Sequence, residues 1–257
     1  MTTVCWAAGH SACGGGQSGE HLVSKGVLNQ ATIFVQGFSW CAEQEKEIGV
    51  NTATANILCR HHNSRFSPLD DAATAAVRAF EADAPCAHPP INGQLFERWL
   101  LKTAINLNFE GSLYLGAGIA QGQLGQPSPE LLDVVFGDKP FPDWMGAYFL
   151  FPRGEARYRS GEIRIQPAIR QQHIGGVFFR LRGIDLFLSL FRGAIPPPLR
   201  EIGFSDRELE PILDAIPIYH PNELIVSTNQ GPPRTISIQW VASQLTTRYS
   251  AVGSGMG

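Results

Sequence analysis

The feature that most constrains this chain is where its cysteines and histidines stand. The 257 residues contain five cysteines and seven histidines, and eight of these twelve lie within the first 62 positions: Cys5, His10, Cys13, His21, Cys41, Cys59, His61 and His62. Thiolate and imidazole are the preferred ligands of zinc, so crowding of these two types is what a zinc site needs. Free cysteine is also a common small core residue. The order and spacing of the neighbours must therefore decide between a metal site and coincidence, and they favour the metal.

The remaining bulk properties set bounds. A chain of this length buries a substantial core without disulfide staples, and an apolar share of 44% is that of a globular protein. No apolar run has the length of a membrane span, and "MTTVCWAAGHSACGGG" lacks the layout of a signal peptide. A cytoplasmic protein with no membrane partner is expected, its cysteines thiols or metal ligands. The net charge of -3 gives no overall sign of a nucleic-acid partner.

Periodicity predicts an α+β chain. "HLVSKGVL" (21–28), "ATIFVQGF" (31–38) and "TANILC" (54–59) read as strands, the last entering a helical turn. Ser67 and Pro68 start a helix as N-cap and first residue, with Asp70 and Asp71 in its positive first turn, and the helix runs to about residue 83. "APCAHPPING" (84–93) breaks the pattern, which predicts a unit over 1–83 and a second over 91–257. An amphipathic helix over 94–109 opens the second unit, a glycine-rich loop covers 116–130, and six strand-like segments follow from 144 onward. Several of them alternate polar with apolar residues, as in an antiparallel sheet with one covered face; "RELEPILDAI" reads as a short helix between them.

Read together, Cys5, Cys13, "EHLVSK" at 20–25, Asn56 in "NILC" and "CRHHNS" at 59–64 resemble the HNH endonucleases. That family is built on a ββα-metal fold, often with a treble-clef zinc finger. An acidic residue and a histidine end its first strand, an asparagine precedes the second half of a zinc knuckle, and His or Asn follows the knuckle. The resemblance covers roughly residues 5–70, with His62 in place of the second knuckle cysteine. The first pair is spaced Cys-x7-Cys rather than Cys-x-x-Cys, and Ser24 stands where proline is common.

The resemblance implies a phosphodiester hydrolase with DNA as the expected substrate. Hydrolysis needs an activated water and something to absorb charge on the leaving oxygen. His21 is the expected general base. Glu20 and Asn63 are expected to hold a magnesium or manganese ion through oxygen, Asn56 to brace the loop, and Lys25, Arg60 and Arg65 to meet phosphates. A structural zinc is a separate expectation. Cys59 and His62, three apart, face inward from one turn, and Cys5 with Cys13 completes a closed tetrahedral site. His10 is the alternative to Cys13, and Cys41 and Cys86 are read as a hairpin and a boundary residue.

One more pattern lies downstream. Residues 151–200 hold nine arginines, no lysine and three acids, Arg157 and Arg159 among them in "RYRSGEIRIQ". Such a stripe either tracks a nucleic-acid backbone or forms the solvated face of a sheet. The second unit is accordingly expected to meet nucleic acid, a protein partner or another copy. The competing reading of the whole is a zinc-stabilised binding module without catalysis.

Overall fold

The first strand is short because its sequence stops it. In the computed structural model, which describes residues 5–36, 41, 44–81, 88–111, 126–143, 145–151, 163–170, 173–190, 215–228 and 231–240, β1 covers Gln17–His21. The segment after it, expected as a continuation of the strand, turns into a single helical turn, α1 (Lys25–Leu28), closed by Asn29 in the left-handed region at φ 44°. Burial explains the change: Leu22, Val23, Val27 and Leu28 are all buried, and a strand would have sent alternate residues outward. A pair of strands, β2 (Thr32–Val35) and β3 (Lys46–Gly49), follows as an antiparallel ribbon, with Cys41 buried between them.

β4 (Thr54–Cys59) returns antiparallel to β1 and passes directly into α2 (Arg60–Arg65) and α3 (Ser67–Glu81). β5 (Ile91–Asn92) leads into α4 (Gly93–Glu110), whose first turn is capped by the Asn92 side chain accepting from Leu95 N–H at 3.1 Å. The expected helix is present, but it is not amphipathic. Every residue from Phe96 to Leu107 is buried, including Glu97, Arg98, Lys102 and Asn106. α4 packs against α3, β4 and the sheets of the C-terminal half, so it has no solvent face, and its polar residues find partners inside.

A further helix, α5 (Pro129–Phe136), stands where the end of the glycine-rich loop was expected. Ser128 caps it, Pro129 fills its first position and Gly137 ends it at φ 87°; Ser-Pro is the pair that announced the helix at Ser67. The C-terminal half is antiparallel as expected. β6 (Gly146–Phe151), β7 (Ile163–Arg170), β8 (His173–Leu181), β9 (Ile184–Ser189) and β10 (Ile216–Tyr219) form a sheet in the order β10-β6-β9-β8-β7. β11 (Glu223–Thr228) and β12 (Gly231–Gln239) form a hairpin, and β12 takes β5 as a short parallel neighbour. β10 was not expected; most of the segment read as a helix before it lies outside the described residues, as do Cys86 and residues 84–87 of the expected boundary. One apolar cluster runs from Cys5 and Trp6 through Phe66, Phe80 and Trp99 to Val177, Leu188 and Ile238, so the two expected units share a core across α3 and α4. Among the described residues no helix is long and apolar enough to cross a membrane.

Candidate metal centre

The turn from Cys13 into β1 is made by three glycines, and the backbone requires two of them. Gly15 and Gly16 both adopt φ +74°, and a Cβ on Gly15 would come within 3.0 Å of the Arg60 Cβ. The close approach lets Arg60 N–H donate to Gly16 O at 2.9 Å and His61 N–H to Gly14 O at 3.2 Å. The start of α2 is thereby laid against the loop that carries Cys13. Cys5, just before a 3-10 turn at Trp6–Gly9, is buried beneath the same spot.

Four donors converge there. One ligand atom each from Cys5, Cys13, Cys59 and His62 lies within 4.8 Å of the others, and the group can hold a metal ion. The set is the expected one, with Cys13 and not His10. Nδ1 of His62 faces the sulfurs of Cys59 at 3.2 Å, Cys5 at 3.3 Å and Cys13 at 3.9 Å. Its other nitrogen, Nε2, meets Ser11 Oγ at 2.8 Å. A second partner on the far side of the ring fixes which nitrogen faces the sulfurs, as at many metal sites. Cys59 caps α2, and His62 N–H donates to its sulfur at 3.4 Å.

The electrostatics of the four groups differ. Burial pushes the Cys5 thiol up to about 12 and raises Cys13 as well. Burial also works against Cys59, but backbone N–H groups of His62 and Gly14, together with the Cys13 and Cys5 thiols, outweigh it and hold that thiol below its ordinary value. Burial, aided by His61, His10 and Arg65, drives His62 down to about 4, so its imidazole is neutral at pH 7. A neutral imidazole and three sulfurs at this spacing fit a tetrahedral zinc-type ion, which deprotonates coordinated thiols outright.

The residues expected to do chemistry separate into two groups. His21 ends β1 opposite Thr54, half-buried, with Nε2 screened from solvent and without a hydrogen-bond partner among the described residues. Burial, then Lys25 and Lys102, lower its pKa, so it stands neutral near pH 7. Asn63 Nδ2 donates to Ser18 Oγ at 2.8 Å and ties α2 to β1. Asn56 is exposed on β4, where its carbonyl accepts from Gln17 Nε2 at 2.6 Å. Lys25 and Arg60 are exposed, whereas the Arg65 guanidinium lies 4.7 Å over the Phe136 ring.

Glu20 belongs elsewhere. The carboxylate expected to hold an ion is buried and engaged by Lys102, whose Nζ lies 2.6 Å away. Burial raises Glu20 against the pull of Lys102; for Lys102, burial acts downward and the two carboxylates beside it reverse the effect. The second carboxylate is Asp70, at 2.8 and 3.0 Å from the same Nζ. Asp70 in turn accepts from Ser24, and Ser24 Oγ accepts from Trp99 Nε1 at 2.7 Å. Asn106 completes the network: it accepts from Trp6 Nε1 at 3.0 Å and donates to Glu20 Oε1 at 3.3 Å and to the His21 carbonyl at 3.4 Å. Sequence reasoning missed Lys102 and Asn106. A lysine and an asparagine on a helix with three aromatic residues and four leucines were the available signal.

The arginine stripe loses two members to the interior. Arg180 is buried against Asp185 at 2.7 Å, and Arg182 pairs with Glu81 at 2.7 Å while donating to Leu28 O at 3.1 Å. Neither is placed to meet a phosphate. Arg157 and Arg159 lie outside the described residues. In comparisons with known proteins, no family model, no curated protein and no solved structure matches this chain.

Proposed function

We propose that the front of the chain is an HNH-type endonuclease that hydrolyses phosphodiester bonds in DNA, with His21 as its general base. The observation that carries this reading is the setting of His21: a buried Nε2 with no partner among the described residues, at the end of a strand whose antiparallel neighbour runs into the metal centre, with burial holding the ring below its ordinary pKa. The succession β1, β4, α2 supports a ββα-metal arrangement, and zinc in the cysteine-histidine centre would hold it together. An orphaned buried nitrogen is costly unless a water or substrate group meets it. As water attacks phosphorus, its proton passes to the imidazole and the bond to the leaving oxygen breaks.

The magnesium or manganese expected beside Glu20 does not fit there, because that carboxylate already has Lys102 as its cation. Glu20 serves instead as a positioning residue, fixing Asn106 and through it the His21 carbonyl. Lys25 and Arg60, both exposed on elements bordering β1, are the cations open to a phosphate backbone.

The Glu20–Lys102 pair also favours a second reading, a zinc-stabilised binding module without catalysis, since it removes a hydrolytic ion's expected ligand. Plasmid nicking decides between them, with and without manganese or magnesium, for wild type and His21→Ala. Loss of nicking in a folded His21→Ala protein supports the nuclease. Equal cleavage by both, or none by either on double- and single-stranded substrates, leaves the binding module.

A further inference from the structure

We propose that His10, Asp133 and Asp138 form a second divalent-cation site, distinct from the cysteine-histidine centre. One donor atom from each of the three lies within 4.8 Å of the others, although His10 stands in the loop between Cys5 and Cys13 and the aspartates lie on and just beyond α5. Local structure fixes all three. The Asp133 carbonyl accepts from the N–H groups of Gly137 at 3.1 Å, Asp138 at 2.9 Å and Lys139 at 3.2 Å, which hooks the chain back beside its own helix end. The His10 ring stacks on Phe136 with 3.9 Å between centroids and 11° between planes.

His10 brings a ring nitrogen to the two carboxylates. Its side chain is only 10% exposed, Nε2 meets the Asp138 carboxylate, and Nδ1 is buried without a partner among the described residues. One imidazole with two carboxylates is a borderline-to-hard donor set, suited to manganese, iron(II) or zinc and not to a thiolate-seeking ion. Two negative charges sit at the C-terminal end of α5, where the helix adds partial negative charge of its own. Three protein ligands leave the remaining positions to water, so this site is open where the other is closed. Lys139 Nζ, on a side chain 62% exposed, lies 2.6 Å from Asp133 Oδ2 and is the cation a metal would displace.

The competitor gives the test two opposite arms. Manganese is titrated by calorimetry into the full-length protein, and into Asp133→Asn with Asp138→Asn, and separately into Lys139→Ala. Melting temperatures without manganese confirm that the near-isosteric variants fold. The wild type is expected to show one saturable manganese per chain at this site. The double asparagine variant should lose that binding by more than about tenfold, the least that loss of a direct ligand implies, and Lys139→Ala should bind more tightly than wild type. Unchanged binding in the asparagine variant, or no saturable binding in wild type and Lys139→Ala alike, overturns the site. Plasmid nicking is a separate readout, so failure here leaves the nuclease reading untouched.

Discussion

Two side-chain clusters fasten β1 to the rest of the molecule, and they obtain their positive charge differently. The cysteine-histidine centre gathers four donors and no cation of its own. The network around Glu20 and Asp70 carries its cation on the chain, as the fully buried Lys102. The first can take an ion from outside; the second has its cation once the chain has folded. Stability of the front should therefore depend on metal supply at one end of β1 and on a side chain at the other.

Removing a ligand gives the largest effect. A structural zinc ion contributes on the order of 10 kcal/mol to the fold it closes. Cys59→Ala should lose about one equivalent of zinc by elemental analysis and expose the front of the chain to proteolysis, and strong chelators should do the same to wild type. A Cys59→Ala protein as protease-resistant as wild type would show that the two clusters do not differ in this way.

Breaking the internal pair comes next. Lys102→Met leaves two carboxylates facing an apolar wall, and one-sided removal of a buried pair costs about 3–5 kcal/mol. Urea unfolding should register that loss, and Glu20→Gln added to Lys102→Met should recover part of it. Zinc content should stay unchanged in both, because Lys102 touches none of the four donors.

Ser11→Ala sharpens the metal side of the comparison. It removes the Nε2 partner of His62 and should weaken zinc binding by about 10–100-fold in a competition with a chromophoric chelator, with little change in urea unfolding when zinc is saturating. The smallest effect belongs to His21. Its folded-state pKa lies below its unfolded value, so the unfolded chain binds the proton more readily. The stability this contributes is present above the ordinary histidine value and is lost as pH falls through it. Between pH about 7 and 5, the melting temperature of wild type should fall slightly more than that of His21→Gln, and parallel falls would remove the claim that burial holds His21 neutral.

The two clusters were unequally legible. Cys5, Cys13, Cys59 and His62 announce themselves because few functions use those residue types at that spacing. The helix at Ser67–Glu81 was readable from its Ser-Pro start, although Ser67 is its first residue and not its cap; α5 carried the same pair at Ser128 and Pro129 but was masked by the glycine-rich run before it. The Glu20–Lys102–Asp70 network was not readable. Its members are ordinary residues in the sequence, and its longest link, Trp6 to Asn106, spans 100 positions. Lysine on a helix is normally read as its solvent face, and only packing on all sides of α4 turns Lys102 inward. The same limit hid the meeting of His10 with Asp138, 128 positions away.

The central claim is that the cysteine-histidine centre takes a tetrahedral ion from outside while Lys102 serves the neighbouring network from within. Cobalt substitution tests it most directly, because cobalt(II) in zinc's place reports its ligands by absorption. The account predicts intense ligand-field bands of a tetrahedral site and sulfur-to-cobalt charge transfer at one equivalent, both lost in Cys59→Ala and kept in Lys102→Met. Weak octahedral bands without charge transfer in the wild-type protein would contradict it.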